Sequence, residues 1–184
     1  MNSLNLSKKY VAFLRGINVG GHHKLPMADL TKVLIRLGFE NIITILNSGN
    51  VIFKAKEIDL KHLEAIISEN LERTFGFLVP VIIKEAKSIQ KIGENNPFKD
   101  IEVTKDIRLY VSFLKGPTQV ELEIPWANDN KSYKILEKRD NTIFSVLDLS
   151  VTNTPVAMAN LEKIYGSDMT TRNWKTIERI TKKF

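Results

Sequence analysis

The chain has no cysteine among its 184 residues. A disulfide framework, a thiol nucleophile and a thiolate metal site are therefore excluded. No apolar run approaches the length that spans a bilayer, and the first ten residues, MNSLNLSKKY, lack the apolar core of a signal peptide. These absences lead us to expect a cytoplasmic protein that does not enter a membrane.

Composition is that of an ordinary globular protein, with 43% hydrophobic and 26% charged residues. The formal net charge of +6 raises the local concentration of phosphate-bearing partners. Most lysines are scattered, and the densest basic cluster is C-terminal, comprising Arg172, Lys175, Arg179, Lys182 and Lys183. Nucleic acid is therefore an alternative partner, whereas a generic basic surface is the simpler interpretation.

Hydrophobic periodicity predicts a β-α-β-β-α-β order in the first half of the chain. The predicted elements are a strand at Tyr10–Leu14, a helix at Pro26–Leu37, strands at Ile42–Leu46 and Val51–Phe53, a helix at Asp59–Phe75 and a strand at Phe77–Ile83. This order is typical of ferredoxin-like domains, which pack two helices on one face of a four-stranded sheet.

The second half repeats part of that order. We predict a short helix at Glu85–Glu94, strands at Arg108–Leu114, Tyr133–Glu137 and Thr142–Leu149, and helices at Pro155–Tyr165 and about Arg172–Lys182. The acidic segment Gln119–Ile124 is left unassigned. The predicted fold class is α+β, with antiparallel or mixed sheets and helices on one face. Two ferredoxin-like halves, residues 1–84 and 85–184, are expected to pack as one unit.

A polar glycine loop, RGINVGGHHK, follows the first strand. Its Gly16-x4-Gly21 spacing is that of a Walker loop, but His22 and His23 stand where such a loop needs Lys and then Ser or Thr. A P-loop is therefore rejected, and the absence of GxGxxG removes a Rossmann interpretation.

Backbone N–H groups of a glycine turn, flanked by basic side chains, can still bind an anion. The hairpin tip Asn47-Ser48-Gly49-Asn50 is expected beside this turn, and its amides are further donors. The candidate ligand-binding residues here are Arg15, Asn18, Gly20, Gly21, Lys24, Asn47, Ser48 and Asn50. The alternative is that glycine and asparagine serve only to reverse the chain.

Four strings, YVAFLRGINVGG, KLPMADL, LGFENIITILNSGNVIF and TTRNWKT, resemble a bacterial family of unknown function, DUF1697. The resemblance runs along essentially the whole chain. It implies a small cytoplasmic α+β protein with ferredoxin-like halves, and it supplies no catalytic residues. By this resemblance, His22 and His23 occupy a place where such proteins commonly carry other polar residues.

The TTRNWKT string contains a second constellation. Arg172 and Asn173 are expected in the first turn of the last helix, where they could face an anion shared with Arg15. Trp174 could stack on a planar ligand, although a buried core position is the simpler interpretation.

Other chemistry finds little support in the residues. Adjacent His22 and His23 rarely chelate one ion together, and no acidic cluster accompanies them, so we predict no metal site. Ser48 matches no GxSxG motif. No cofactor is predicted.

We therefore predict a protein that binds a small anionic or phosphate-bearing ligand at the RGINVGG loop. Three alternatives stay open: a nucleic-acid binder that uses the basic C-terminal helix, a metal-independent enzyme of undefined reaction, and a protein-interaction domain that pairs through an exposed sheet edge.

Overall fold

The computed structural model describes residues 7–184. Residues 1–6, part of the segment that is predicted to contain no signal peptide, lie outside the described residues. The chain divides into two units. Of the described residues, unit 1 comprises 7–91 and 179–184, and unit 2 comprises 92–178.

Unit 1 is built on a four-stranded sheet whose strands follow the predicted β-α-β-β-α-β order. Its elements are β1 (Ser7–Leu14), α1 (Met27–Arg36), β2 (Glu40–Ile45), β3 (Asn50–Lys56), α2 (Leu60–Phe75) and β4 (Val81–Glu85), and α3 (Ala86–Glu94) follows. The strand order is β2-β3-β1-β4, and each pairing is antiparallel.

One face of this sheet packs against α1 and α2 to form a hydrophobic core. The alternation of strand side chains selects Tyr10, Ala12 and Leu14 from β1 for this face. The partners from the other elements are Val51, Phe53 and Ala55 of β3, Leu30, Val33 and Leu34 of α1, and Leu63, Ile67 and Leu71 of α2. These helical positions recur at three- and four-residue spacing, as an amphipathic helix requires.

Local capping chemistry fixes the ends of α2. The Asp59 side chain accepts a hydrogen bond from the backbone N–H of His62 (3.1 Å). This N–H lies in the first turn and has no carbonyl partner within the helix. Gly76 ends the helix in the left-handed conformation (φ 77°), which glycine adopts without steric cost.

The carboxylate of Glu64 in α2 is buried against the edge of the sheet. It accepts a 2.8 Å hydrogen bond from the backbone N–H of Ile83 in β4. Because β4 is an edge strand, this N–H points away from β1 and would otherwise lack a ladder partner.

Unit 2 contains a five-stranded antiparallel sheet. Its elements are β5 (Ile107–Leu114), β6 (Trp126–Ala127), β7 (Tyr133–Arg139), β8 (Thr142–Asp148), α4 (Thr154–Tyr165) and β9 (Met169–Asn173), and α5 (Trp174–Thr181) follows. The strand order is β6-β7-β8-β5-β9. Four of these strands, β7-β8-β5-β9, have the connectivity of β2-β3-β1-β4 in unit 1.

The two sheets differ at the position of α1. In unit 2 the segment between β5 and β7 contains no helix, and only the two-residue strand β6 forms there. Leu122, Ile124 and Trp126 of this segment pack against the core of unit 2. These three side chains are half-buried, so a segment without helical structure covers part of the unit 2 core here.

Several predicted boundaries and elements differ from the structure. The last helix begins at Trp174 rather than Arg172, because Met169–Asn173 pair with β5 as the unpredicted strand β9. The fourth strand begins at Val81 rather than Phe77. Strand β6 was also unpredicted, since two residues are too few to show a periodicity.

Gly49 is required by both backbone conformation and space. Its φ is 72°, and a Cβ at this position would lie 2.6 Å from Cβ of Leu14 and 2.7 Å from Cδ1 of Ile17. Gly16 has nearly the same φ, 71°, but a Cβ added there would have open space within 4 Å. Gly49→Ala should therefore lower the free energy of unfolding by about 3 kcal/mol, and the control Gly16→Ala by about 1 kcal/mol. Urea denaturation measures both, and equal losses would contradict the steric argument.

Tyr133 gives unit 2 a pH-dependent stability at high pH. Burial raises the pKa of its phenol from 10.0 to about 12, and the neighbouring Ser145 hydroxyl offsets this effect only in part. Between these two values the unfolded chain binds fewer protons, so stability falls as pH rises. From pH 9 to 11 the wild-type protein should lose about 1 kcal/mol through this group, a loss absent from Tyr133→Phe. Chemical denaturation at both pH values tests this, and the same loss in the variant would refute it.

Candidate functional site

The glycine loop of unit 1 forms a small exposed hairpin. The backbone N–H of Asn18 donates to the carbonyl of His23 (3.1 Å), and that of His22 donates to Val19 (3.0 Å). Gly20 and Gly21 at its tip both have positive φ, 59° and 81°. A two-residue turn of this kind matches the twist of the flanking strands, and glycine adopts it readily.

The Asn18 side chain joins this hairpin to the tip of the β2–β3 hairpin. Its Nδ2 donates to the carbonyls of Leu25 (2.9 Å) and Asn47 (2.8 Å), and its Oδ1 accepts from the N–H of Leu25 (2.8 Å). The amide is therefore fully engaged by the backbone. Its φ of 55° is one that asparagine tolerates better than most residues.

Asn50 has a similar structural use. It is fully buried, and its Nδ2 donates to the carbonyl of Ile45 and to Oγ of Ser48, both at 2.9 Å. Two of the predicted ligand-binding amides thus have structural roles: Asn18 joins the two turns, and Asn50 stabilises the β2–β3 turn itself. The predicted meeting of the glycine turn with the Asn-Ser-Gly-Asn tip is present within unit 1.

The basic residues of the glycine hairpin lie at its base and side. Arg15 follows β1 directly and is half-buried, and its backbone N–H donates to the carbonyl of Pro80 (2.9 Å). Lys24 is exposed. The His23 ring stacks on Phe77 with ring centroids 4.5 Å apart, so this histidine has a packing role.

Arg172 and Asn173, the remaining predicted site residues, lie on β9 of unit 2. Arg172 is buried, and its Nη1 donates to Oγ1 of Thr170 (2.8 Å) and to the carbonyl of Thr171 (2.9 Å). Burial lowers the pKa of this guanidinium from 12.5 to about 10. Because it is buried, Arg172 does not contribute to the surface charge of the predicted C-terminal basic cluster.

Asn173 lies instead at a cavity of about 690 Å³ within unit 2. Three cationic side chains, Lys105, Arg108 and Lys175, line this cavity together with one carboxylate, Glu178. Among residues 7–184 none of the three cations forms an ion pair. Lys105 and Arg108 were not predicted as site residues from the sequence, and Lys175 was predicted only as part of the basic C-terminal helix.

Strand pairing explains why these residues meet. In the antiparallel β5–β9 ladder Tyr110 lies opposite Asn173, so residues before Tyr110 and residues after Asn173 lie at the same end. Arg108 and Lys175 are each two residues beyond that pair. The spacing of Lys105 and Arg108 around the start of β5 could have revealed the site only if β9 had been recognised as a strand.

Hydrogen bonds orient the side chains around the cavity. Nη1 of Arg108 donates to the carbonyls of Lys105 (2.7 Å) and Ile107 (3.0 Å), which leaves Nε and Nη2 without an acceptor in the described part of the chain. Oδ1 of Asn173 accepts from the N–H of Lys175 (3.0 Å) at the first turn of α5. The positive end of that helix adds to the field of the cations.

The described part of the chain offers neither a metal centre nor a membrane span. Residues 7–184 contain no group of three His, Asp or Glu side chains arranged to hold a metal ion. No helix within that range has both the length and the apolar character needed to cross a bilayer.

The fold is therefore a mixed α+β fold with two antiparallel sheets, and unit 2 contains a cation-lined cavity. The chain belongs to the family of proteins of unknown function DUF1697, whose model matches residues 7–144. This confirms the resemblance inferred from the sequence. Lys105 and Arg108 fall inside the matched range, whereas Asn173 and Lys175 lie beyond it.

Among solved structures the chain is similar to the conserved bacterial protein SP0830 from Streptococcus pneumoniae. The TM-score is 0.71, the sequences are 23% identical, and the match covers 96% of this chain and 98% of that one. At this identity the similarity establishes a shared fold. No curated protein matches the chain.

Asn18 allows a test of the link between the two turns of unit 1. Asn18→Asp keeps the acceptor for Leu25 but loses both donated hydrogen bonds, so the free energy of unfolding should fall by about 1–2 kcal/mol. The matched control is Asn47→Asp, because the Asn47 side chain makes no hydrogen bond within residues 7–184. That control should change stability by less than about 0.5 kcal/mol. Equal urea midpoints for the two variants would contradict this role of Asn18.

Proposed function

We propose that this protein binds a small anionic or phosphate-bearing ligand in the unit 2 cavity. The observation that carries the proposal is the presence of three cations without ion-pair partners, among the described residues, around one cavity: Lys105, Arg108 and Lys175. A charged side chain on a protein surface is ordinarily isolated and surrounded by water. Several cations that line one concave wall instead raise the local concentration of an anion.

Arg108 is the central residue of the proposed site. Two backbone carbonyls already restrain its Nη1, so little further conformational entropy is lost when the guanidinium binds a ligand. Its remaining N–H donors can form paired, charge-assisted hydrogen bonds with a phosphate or carboxylate. Lys105 and Lys175 would contribute mobile point charges.

The glycine turn of unit 1 stays a second proposed site for the same class of ligand. Arg15, Lys24 and the N–H groups of Gly20 and Gly21 would form it. Its support is weaker, because the Asn18 and Asn50 amides are engaged in holding the turns. The proposal at this site therefore rests on backbone donors and two basic side chains.

We also propose a fold for each half of the chain and a location for the protein. The matching strand connectivity of the two sheets supports our interpretation of both halves, residues 1–84 and 85–184, as ferredoxin-like. A cytoplasmic location stays a prediction. Nucleic-acid binding, catalysis and protein interaction stay open as alternatives, and the buried position of Arg172 removes one cation from the surface that nucleic-acid binding would need.

A pair of variants tests whether and where an anion binds. Isothermal titration calorimetry with pyrophosphate should detect binding to the wild-type protein. Arg108→Gln should weaken binding at the unit 2 cavity at least about tenfold, because it removes charge-assisted hydrogen bonds. Arg15→Gln, which changes only the second proposed site, should leave the affinity of the unit 2 cavity unchanged.

Weaker binding to Arg15→Gln together with unchanged binding to Arg108→Gln would locate the site at the glycine turn. Undetectable binding to the wild-type protein, tested also with inorganic phosphate and nucleoside monophosphates, would overturn the proposed function. Thermal unfolding of each variant, measured in parallel, establishes that lost binding is not lost folding.

A further inference from the structure

The inner wall of the unit 2 cavity is apolar and fixed in place. Phe98, Leu109 and Trp174 line it, and each is at least 90% buried. The Phe98 and Trp174 rings pack edge to face with centroids 5.3 Å apart, and Phe98 also packs against Phe144. Such contacts restrict the rings, so this wall offers a preformed apolar surface.

The cavity is much larger than an inorganic anion. Its volume of about 690 Å³ lies within the range of roughly 300–1,000 Å³ typical of sites for drug-sized molecules. A phosphate ion held by the cations would fill only part of this volume and would leave the exposed edges of the apolar wall in contact with water. A ligand that also covers this wall gains the free energy of burying apolar surface.

Two amide groups supply directional hydrogen-bond donors in the same cavity. Oδ1 of Asn96 accepts from the N–H of Phe98 (2.9 Å), and Oδ1 of Asn173 accepts from the N–H of Lys175 (3.0 Å). These bonds fix which way each amide points. Both Nδ2 groups lack an acceptor among residues 7–184, so they are available to ring nitrogens or carbonyl oxygens.

We infer that the ligand of this cavity is a phosphorylated compound with a heteroaromatic ring, of the nucleoside monophosphate class. The phosphate binds at Arg108, Lys105 and Lys175, the ring covers the wall formed by Phe98 and Trp174, and the Asn96 and Asn173 amides bind the ring edge. This inference rests on the proposed function, since it assumes that an anion binds in this cavity.

Matched ligands separate the contribution of the ring from that of the phosphate. Calorimetric titrations of the wild-type protein compare AMP, GMP, CMP and UMP with ribose 5-phosphate and phenyl phosphate. At least one nucleotide should bind about tenfold or more tightly than ribose 5-phosphate, because the ring buries apolar surface. Phenyl phosphate should fall between them, since its ring has no hydrogen-bonding edge.

Asn173→Ser tests the edge contact. Serine keeps an oxygen that can cap α5 but removes the amide donors. Nucleotide affinity should fall about fivefold, while ribose 5-phosphate affinity stays unchanged.

In a Trp126→Phe background Trp174 is the remaining tryptophan, so nucleotide binding should change its fluorescence.

These titrations distinguish failure of the inference about the ring from failure of the proposed function. If ribose 5-phosphate binds as tightly as every nucleotide, and Arg108→Gln weakens both, an anion site exists and the inference about the ring is wrong. If no anion binds, the proposed function itself fails. If nucleotides bind equally well to wild type and Arg108→Gln, the location of the site is wrong.

Discussion

The antiparallel pairing of β5 with β9 is the constraint on which the candidate site depends. Because Tyr110 lies opposite Asn173, the residues that precede β5 and those that begin α5 lie at one end of the same ladder. A shift of one residue would turn every β9 side chain to the other face of the sheet. This register brings Arg108 and Leu109 to the same cavity as Asn173, Trp174 and Lys175.

The two sheets show how one strand connectivity can be covered in different ways. In unit 1 two amphipathic helices cover the face that carries Tyr10, Ala12 and Leu14. In unit 2 the position of the first helix is occupied by a non-helical segment whose Leu122, Ile124 and Trp126 reach the core. A sheet requires apolar surface above it, and both conformations provide that surface.

Sequence periodicity was sufficient to predict most of the elements, because long amphipathic patterns such as α2 admit few alternatives. It failed at β9. The string Met169–Asn173 alternates poorly, and its β-branched threonines and arginine are equally compatible with a cap and first helical turn. Its strand conformation comes from pairing with β5, which is a long-range contact. Lys105 and Arg108 could not be connected with Lys175 without that pairing.

The role of the glycine loop could be predicted only in part, for a different reason. The sequence correctly predicted that its turn and the Asn-Ser-Gly-Asn tip meet, yet the same amides could serve either a ligand or the backbone. Asn18 and Asn50 make backbone hydrogen bonds at 2.8–2.9 Å. Residue type indicates hydrogen-bonding capacity, and only geometry shows how it is used.

The Glu64 carboxylate has a consequence for how this protein meets other chains. An edge strand with open N–H groups is a template on which a foreign strand can add. By occupying the Ile83 N–H, Glu64 interrupts that template on β4. An incoming strand would have to displace a buried carboxylate, so β-strand exchange and fibril-like stacking are disfavoured along this margin of unit 1.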